Sequence, residues 1–485
     1  MGSTTALNWS DMVVQRFPFI LFREYPTYGY LSDNRNFGYD TASHSCQKVG
    51  DLLLSKTGSM FYAKLKETPQ DINDVAYELN KLYPEVTFDT IKKDALDFYN
   101  DLSLRGFIFL GEEGDYQTTL QQYFSYGNKH PFELKISHSK NNQSTIEDTL
   151  GKSYNLTSVH IDISSRCNEN CVHCYIPNSY KCSIMTKDMF VDIINQCRSL
   201  NVLNLTISGG EPMLNPSLKD FLSICRQYNF SVNLLTNLTL LSDELLEVIS
   251  NNPLICVQTS LYAMDEKIHD SITNNQGSFR KTIKGIKILH ERNVPLQINC
   301  PILKQNKDNY KDVLHFAESL NIEADADYLL FGSFDKSCSN LSCRISLEEI
   351  KNIEMGKYLK EKVSEEQYII KHDSCDPICP VCKHSLCVSN NGDVYPCEGW
   401  QSFKVGNLKN QTLKEIWVKG KLVLQLRNLK YTDFPKCNIC TLKNYCTFCL
   451  ILNANEDPSG DYKNVNTYMC EVANIKANVQ RNYIQ

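Results

Sequence analysis

The chain reads as an α/β protein, and three observations predict this. Between residues 158 and 330, short apolar strand patterns alternate with segments of helical periodicity, an order that builds parallel strands into one sheet. Three cysteines, Cys167, Cys171 and Cys174, follow the first of these strands, where parallel sheets gather their ligands. Ten of the chain's 21 cysteines crowd between Cys375 and Cys470, marking a distinct C-terminal unit.

The N-terminal part has a different composition. Residues 18–39 are rich in Phe, Tyr and Gly with turn residues between, which suggests a short antiparallel sheet. From 42 to 109 the pattern turns helical, with apolar residues at i, i+3 and i+4 over 46–54, 71–82 and 88–104, ending at Gly106. A three-strand, three-helix α+β unit of winged-helix type is expected, and the polar run 137–151 reads as a linker. Expected boundaries are 1–115 for this unit, 116–152 for the linker, 153–345 for the central domain and 346–485 for the cysteine-rich domain.

In the central domain the strands fall near 158–163, 202–207, 231–235, 254–260, 296–300 and 326–330. Helices are expected over 186–200, 217–228, 242–250, 278–291 and 309–320, several opening at Ser, Thr or Asn caps. The strand ends nominate ligand contacts: Gln258, Thr259 and Ser260 on the fourth, Asn299 on the fifth, Leu330 on the sixth, and Thr236 and Asn237 after the third. Each could equally be a strand-end residue capping its own backbone.

The cysteine triplet is spaced CX3CX2C. Iron–sulfur cubanes normally take four thiolates, so three on one loop leave an iron free for another ligand. Zinc is the competing metal, but structural zinc fills all four positions and usually arrives as paired motifs. His173 could complete a zinc site, yet in its turn the ring is not expected to point inward. Buried thiols without metal are the bland alternative.

The triplet resembles the motif of the radical S-adenosylmethionine (SAM) superfamily, in which three cysteines hold a [4Fe–4S] cluster and SAM occupies the open iron. The resemblance implies Cys167, Cys171 and Cys174 as ligands and the backbone around His173 and Tyr175 beside the adenine. Relatives commonly carry an aromatic residue where this chain has His173. After the second strand, Ser208-Gly209-Gly210-Glu211-Pro212 forms a tight turn whose glycines let backbone approach a ligand. It is similar to the family's GGE motif, which implies that Glu211 holds the SAM amino group. The six strand–helix units match the family's partial (β/α)6 barrel; Ser260 and Asn299 would face the ribose or carboxylate of SAM, and Leu330 its adenine. The stretch from Ser260 to Asp270, followed by Gly277-Ser278-Phe279, is also similar to radical SAM peptide-modifying enzymes, although its own residues show only a loop leading into a helix.

Ten crowded thiols call for disulfides or metal. Residues 1–10 lack the charged and apolar regions of a secretion signal, so metal is expected. Cys382, Gly392 and Cys397 give CX9GX4C, with a hairpin turn at 390–393; Cys437, Cys440, Cys446 and Cys449 give CX2CX5CX2C, and Cys470 follows. This resembles the SPASM domain, which binds two auxiliary [4Fe–4S] clusters, with X2 rather than X3 before Cys449 as the one departure. The resemblance implies Cys382, Cys397 and Cys449 on the first auxiliary cluster, with Cys379 or Cys375 as a fourth ligand or an iron left open. Cys379 could also replace Cys382, because CX12GX4C fits equally. Cys437, Cys440, Cys446 and Cys470 would hold the second. Cys387 is expected in a strand core, and Cys46, Cys182, Cys197, Cys225, Cys256 and Cys300 as small buried residues.

The N-terminal unit resembles, by order and pattern, the PqqD-type recognition element that binds the leader of a ribosomally made precursor peptide. An exposed edge strand would recruit the peptide by strand addition. A winged helix could instead serve DNA binding or dimerisation, but a net charge of −6 does not favour nucleic acid. No apolar run approaches the ~18 residues that span a membrane.

The function these resemblances imply is that of a cytoplasmic radical SAM peptide maturase of the sactipeptide or ranthipeptide type, installing thioether cross-links from peptide cysteines. Its cofactors would be SAM and three [4Fe–4S] clusters, and its partners a precursor peptide and an electron donor such as flavodoxin or ferredoxin. The rivals are a maturase forming carbon–carbon cross-links or epimerising residues, an enzyme maturing sulfatases, and an iron–sulfur electron-transfer or sensor protein. In the loop 335–344, at the expected barrel mouth, Asn340 and Arg344 are candidate substrate contacts. Cys338 and Cys343 there are hydrogen donors, substrate contacts or plain loop thiols.

Overall fold

The structure is a computed structural model of the 485-residue chain and describes residues 12–35, 49–124, 154–361 and 373–483. Backbone contacts divide it into two units. The first comprises residues up to 154 with 225–232 and 251–256; the second comprises the remainder.

The first unit holds strands β1 (Met12–Arg16), β2 (Ile20–Glu24), β3 (Tyr28–Asp33), β4 (Asp51–Ser55), β5 (Gln70–Asp71) and β6 (Ile108–Glu112). They form two three-stranded antiparallel sheets, ordered β5-β1-β6 and β2-β3-β4. The expected helix over 46–54 is corrected: Asp51–Ser55 pairs with β3, from Tyr28 opposite Ser55 to Ser32 opposite Asp51. A short run of leucines carries no period of its own, and pairing decides it. The helix begins one residue later, at Lys56–Ala63, where the Ser55 hydroxyl accepts from the Gly58 N–H at 3.0 Å. Helices Ile72–Asn80 and Phe88–Leu104 stand where periodicity placed them, capped by Asp71 and Thr87. Helix Tyr116–Phe124 occupies the start of the expected linker, while its polar run at 137–151 lies outside the described residues. The result is an α+β unit with two small sheets rather than three strands and three helices.

The second architecture is the sheet β12-β11-β10-β9-β8-β7, extended by β13-β14-β15. Its strands are β7 (Ser158–Ser164), β8 (Asn204–Gly209), β9 (Ser231–Leu235), β10 (Ile255–Ser260), β11 (Leu296–Pro301), β12 (Glu323–Asp327), β13 (Ser385–Val388), β14 (Asp393–Tyr395) and β15 (Gly406–Asn407). Six strands in sequential order, with helices Lys187–Ser199, Leu218–Gln227, Asp243–Ser250, Ser278–Glu291 and Tyr310–Ser319 between them, give the expected mostly parallel α/β arrangement. The core face is fully buried: Val159, Ile161, Ile163, Leu205, Ile207, Leu234, Val257 and Ile298 are each 0% exposed. Each such side chain contributes roughly 1.5–3 kcal/mol.

Two elements depart from the sequence reading. The sixth strand lies at Glu323–Asp327, not 326–330, because β12 is the sheet's edge and alternates acids, Glu323, Asp325 and Asp327, instead of showing an apolar run. Helix Glu266–Thr273, absent from the expected helices, follows the loop 261–265 in the stretch read as a loop leading into a helix; Asp265 caps it through the N–H groups of Lys267 and Ile268 at 2.8 and 3.0 Å.

The C-terminal hairpin forms at Ser385–Val388 and Asp393–Tyr395, with Gly392 at φ +87° in the turn and Cys387 fully buried. β13 also runs parallel to β7, from Ser385 opposite Ser158 to Val388 opposite Ile161, so the cysteine-rich segment continues the sheet of the central domain. Asp162 ties the two strands together. His160 Nε2 lies 3.0 Å from its Oδ1, and its Oδ2 accepts from Gln401 Nε2 at 2.5 Å with Cys387 Sγ at 3.9 Å.

Candidate functional site

The cysteine loop leaves β7 and is bound at once to the glycine turn at the end of β8. Gly210 N–H donates to the Ser164 carbonyl at 2.7 Å and Glu211 N–H to the Arg166 carbonyl at 2.8 Å. Gly209 has φ +128°, and a Cβ there would lie 1.9 Å from the Ser164 oxygen; one on Gly210 would lie 2.4 Å from the Arg166 oxygen. The glycines therefore let two backbones meet, and that contact fixes where the cysteine loop starts.

A cavity of about 230 Å³ opens at the strand ends. Cys167, Cys171 and Cys174 line it together with His173, Tyr175, Gly209, Gly210, Thr236, Asn237, Gln258, Thr259, Ser260 and Asn299. Ser260 pairs in register with Asn299, which sets their side chains on one rim. Lys181 and Glu169 line the cavity as well, as do Tyr262 and His269 from the stretch Ser260–Asp270 noted in the sequence; none of the four was named there as a site residue. Lys181 follows the cysteine loop, and its charge opposes the effect of burial on Cys167.

Glu211 is fully buried. Its Oε1 accepts from the Thr236 hydroxyl at 2.7 Å and the Met213 N–H at 2.9 Å, and its Oε2 from the Asn237 N–H at 2.8 Å. Burial outweighs these bonds and raises its pKa to about 7. Leu330, three residues beyond β12, packs in an apolar cluster with Tyr262, Ile272, Leu303 and Cys343.

His173 corrects the expectation that its ring turns away. Nε2 lies 2.9 Å from the Tyr262 hydroxyl, and burial lowers its pKa to about 4, leaving the imidazole neutral. Tyr262 Oη in turn lies 4.0 Å from Cys171 Sγ. Glu169 Oε2 sits 3.7 Å from the same sulfur, and its Oε1 accepts from the Ser278 hydroxyl. Burial raises Cys167 to about 11 and Cys171 well above the usual thiol range.

Two further thiol groups assemble in the C-terminal segment. Cys437, Cys440, Cys446 and Cys470 line one apolar cavity, with Tyr431, Phe448 and Met469 among its walls. Burial raises Cys446 to about 12, and the charges of Cys470, Cys437 and Cys440 add to it. Elsewhere, Cys379 is close enough to act on both Cys382 and Cys449, and Cys449 acts on Cys397. Cys449 also lines the apolar cavity of Cys437, Cys440, Cys446 and Cys470. Cys375 is exposed.

The expected barrel-mouth loop is firmly held. Asn340 is buried and donates through Nδ2 to the carbonyls of Phe331 at 2.8 Å and His173 at 3.1 Å. Arg344 pairs with Glu456 and lies 4.3 Å over the Tyr468 ring. Cys343 is buried, and Cys338 is half-buried at φ +53°. Cys197, Cys225, Cys256 and Cys300 are buried as expected, whereas Cys182 is exposed on the loop after the turn Asn178–Tyr180; Cys46 lies outside the described residues.

The donor chemistry fits iron–sulfur clusters. Three thiols at one cavity leave a cubane position open, and each C-terminal set offers four. Raised thiol pKa values mean that a metal must displace protons on binding, which couples loading to pH.

Residues 161–317 match the radical SAM superfamily, and residues 379–441 match SPASM, an iron–sulfur cluster-binding domain. The AdoMet-dependent heme synthase of Methanosarcina barkeri is 25% identical over 316 residues, covering 59% of this chain and 89% of that protein. The subtilosin biosynthesis protein AlbA of Bacillus subtilis is 24% identical, covering 61% and 68%. A PqqA peptide cyclase of Bradyrhizobium diazoefficiens is 22% identical, covering 59% and 79%. Streptococcus suis SuiB bound to its precursor peptide SuiA shares the fold at a TM-score of 0.56 and 17% identity, over 93% of this chain and 98% of that one. The chain thus carries a radical SAM domain and a SPASM domain, and its relatives include peptide maturases.

Proposed function

We propose that this radical SAM enzyme installs thioether cross-links in a ribosomal precursor peptide, using peptide cysteines as the sulfur source. The observation that carries the reading is that two further thiol sets, Cys437/Cys440/Cys446/Cys470 on one cavity and Cys379/Cys382/Cys397/Cys449 close enough to act on one another, lie in the same unit as the triplet's cavity. Closing a sulfur–carbon bond after hydrogen-atom removal leaves one electron and one proton over, and such a chain needs somewhere to put the electron.

Cys167, Cys171 and Cys174 hold the first cluster, and the glycine turn fixes their loop. Ser260, Asn299 and Gln258 offer hydroxyl and amide groups to the polar parts of SAM, and Tyr175 packs beside it. Glu211 holds the turn after β8 through its buried carboxylate, and its role toward the SAM ammonium rests on the resemblance of the glycine–glutamate turn alone. Cys379, Cys382, Cys397 and Cys449 hold the first auxiliary cluster, with Cys375 outside it, and Cys437, Cys440, Cys446 and Cys470 hold the second. When bound, these groups supply a 5′-deoxyadenosyl radical that takes hydrogen from a peptide carbon, and an acceptor for the electron released on bond closure.

The N-terminal unit recruits the leader by strand addition, in the manner of a PqqD-type element. β2 has its outer side capped by Asn229, whose Oδ1 accepts from Phe22 N–H at 3.0 Å and whose Nδ2 donates to Ile20 O at 3.3 Å. β4 is the other edge of that sheet and pairs only with β3 among the described residues. On this proposal the leader adds along β4.

The test is anaerobic incubation of a cysteine-rich precursor peptide with enzyme, SAM and dithionite, followed by mass spectrometry. Loss of two hydrogens per event at cysteine sulfur supports the reading. An unchanged mass with altered chirality, or two hydrogens lost with cysteine still alkylatable, overturns it.

A further inference from the structure

Resting on that reading, we propose that Tyr262 is a positioning residue whose hydroxyl donates a hydrogen bond to the Cys171 sulfur and so sets the reduction potential of the cluster held by the triplet. The three thiols are not equivalent. Cys171 has a phenolic oxygen 4.0 Å and the Glu169 carboxylate 3.7 Å from its sulfur, Cys167 has only a backbone bond with Glu169, and Cys174 Sγ faces the Ile176 carbonyl at 3.6 Å, a group with no proton to give. Cys171 is thus the ligand at which a side-chain hydroxyl can take charge off sulfur.

Tyr262 is held so that its hydroxyl has little freedom to leave. Its N–H donates to His269 Nδ1 at 3.4 Å, and its carbonyl accepts from Asn306 Nδ2 at 2.7 Å. Its ring packs among Ile272, Leu303, Leu330 and Cys343 and lies 5.2 Å from the His173 ring. At the hydroxyl, His173 Nε2 stands 2.9 Å away. With its proton on Nε2, the imidazole donates to the phenolic oxygen, which frees the phenolic proton for sulfur. The result is a directed chain, His173 to Tyr262 to Cys171, in a site where low dielectric strengthens each bond.

Donors to cluster sulfurs favour the reduced, more negative state and raise the potential. No proton is transferred: one electron enters from the reductant and the bonds to sulfur shorten. The chain therefore makes the radical-generating cluster easier to reduce than three bare thiolates would.

The test is Tyr262→Phe, which removes only the oxygen, with the potential read from the electron paramagnetic resonance signal that changes when SAM is added. At a fixed solution potential, the reduced-to-oxidised ratio is expected to fall about tenfold, equivalent to about 59 mV, at unchanged iron per chain. In a second variant, fluorotyrosine at position 262 keeps the ring and strengthens the donor, and the ratio is expected to rise. A potential unchanged in both variants at full iron content overturns the inference and leaves the proposed function standing. Wild-type protein with no SAM-responsive signal overturns both.

Discussion

Arg344 and Glu456 meet as a paired fork: Nη1 donates to Oε2 at 2.9 Å and Nη2 to Oε1 at 2.5 Å. Nη2 also donates to the Leu330 carbonyl at 2.6 Å, so one guanidinium joins the loop after β12 to the end of helix Leu450–Glu456. The side chains are 13% and 16% exposed, which leaves modest solvent screening. Arg344→Met is expected to destabilise the apoprotein by about 2–3 kcal/mol, because Glu456 is left without its counter-charge. A lower midpoint in chemical denaturation, largely restored by adding Glu456→Met, is the measurement that checks it.

Gly209→Ala places a methyl group against the Ser164 carbonyl oxygen and adds left-handed strain. The cost is expected to exceed about 2 kcal/mol, and the cysteine loop must move to relieve it. Reconstituted protein should lose the iron of the triplet, about four per chain, while both C-terminal clusters load.

The fourth ligand of the first auxiliary set can be read from iron alone. Cys375→Ser is expected to keep about twelve irons per chain, and Cys379→Ser to lose up to about four. The reverse result would move the ligand to Cys375.

Glu211 gives a pH dependence whose sign is fixed. Its folded pKa is raised from 4.5 to about 7 by burial, so the folded apoprotein holds this proton more tightly than the unfolded chain does. The stabilisation is fully present below pH 4.5 and is lost as pH rises through about 7. It amounts to roughly 3 kcal/mol. Apo Glu211→Gln should therefore show a flatter fall in unfolding midpoint between pH 5 and 8 than the wild type, and parallel curves would refute the assignment.

Much of the fold was legible because it rests on local pattern. Helices Phe88–Leu104 and Ser278–Glu291 match their periodicity residue for residue, and Ser231–Leu235 does the same for a strand. What was missed depended on partners distant in sequence. Asp51–Ser55 is a strand because β3 lies beside it, and β12 is a strand despite its acids because β11 pairs with it. At the site, the cysteines and glycines announced themselves by spacing. Tyr262 lay in the stretch Ser260–Asp270 and Glu169 inside the cysteine motif, but neither spacing gave them a role, and only the folded chain brings them to Cys171. The packing of Arg344 against Glu456 was likewise invisible across a separation of 112 positions.

The parallel pairing of β13 with β7 makes the C-terminal segment part of the central sheet, not an appended cassette. A chain cut before β13 would bare the edge of Ser158–Ser164, a strand whose residues from Ile161 onward are all buried. Such an unpaired apolar edge is a template for self-association. Attempts to isolate the radical-generating half should therefore yield aggregates, and folding of the two halves should be cooperative, with one unfolding transition for both.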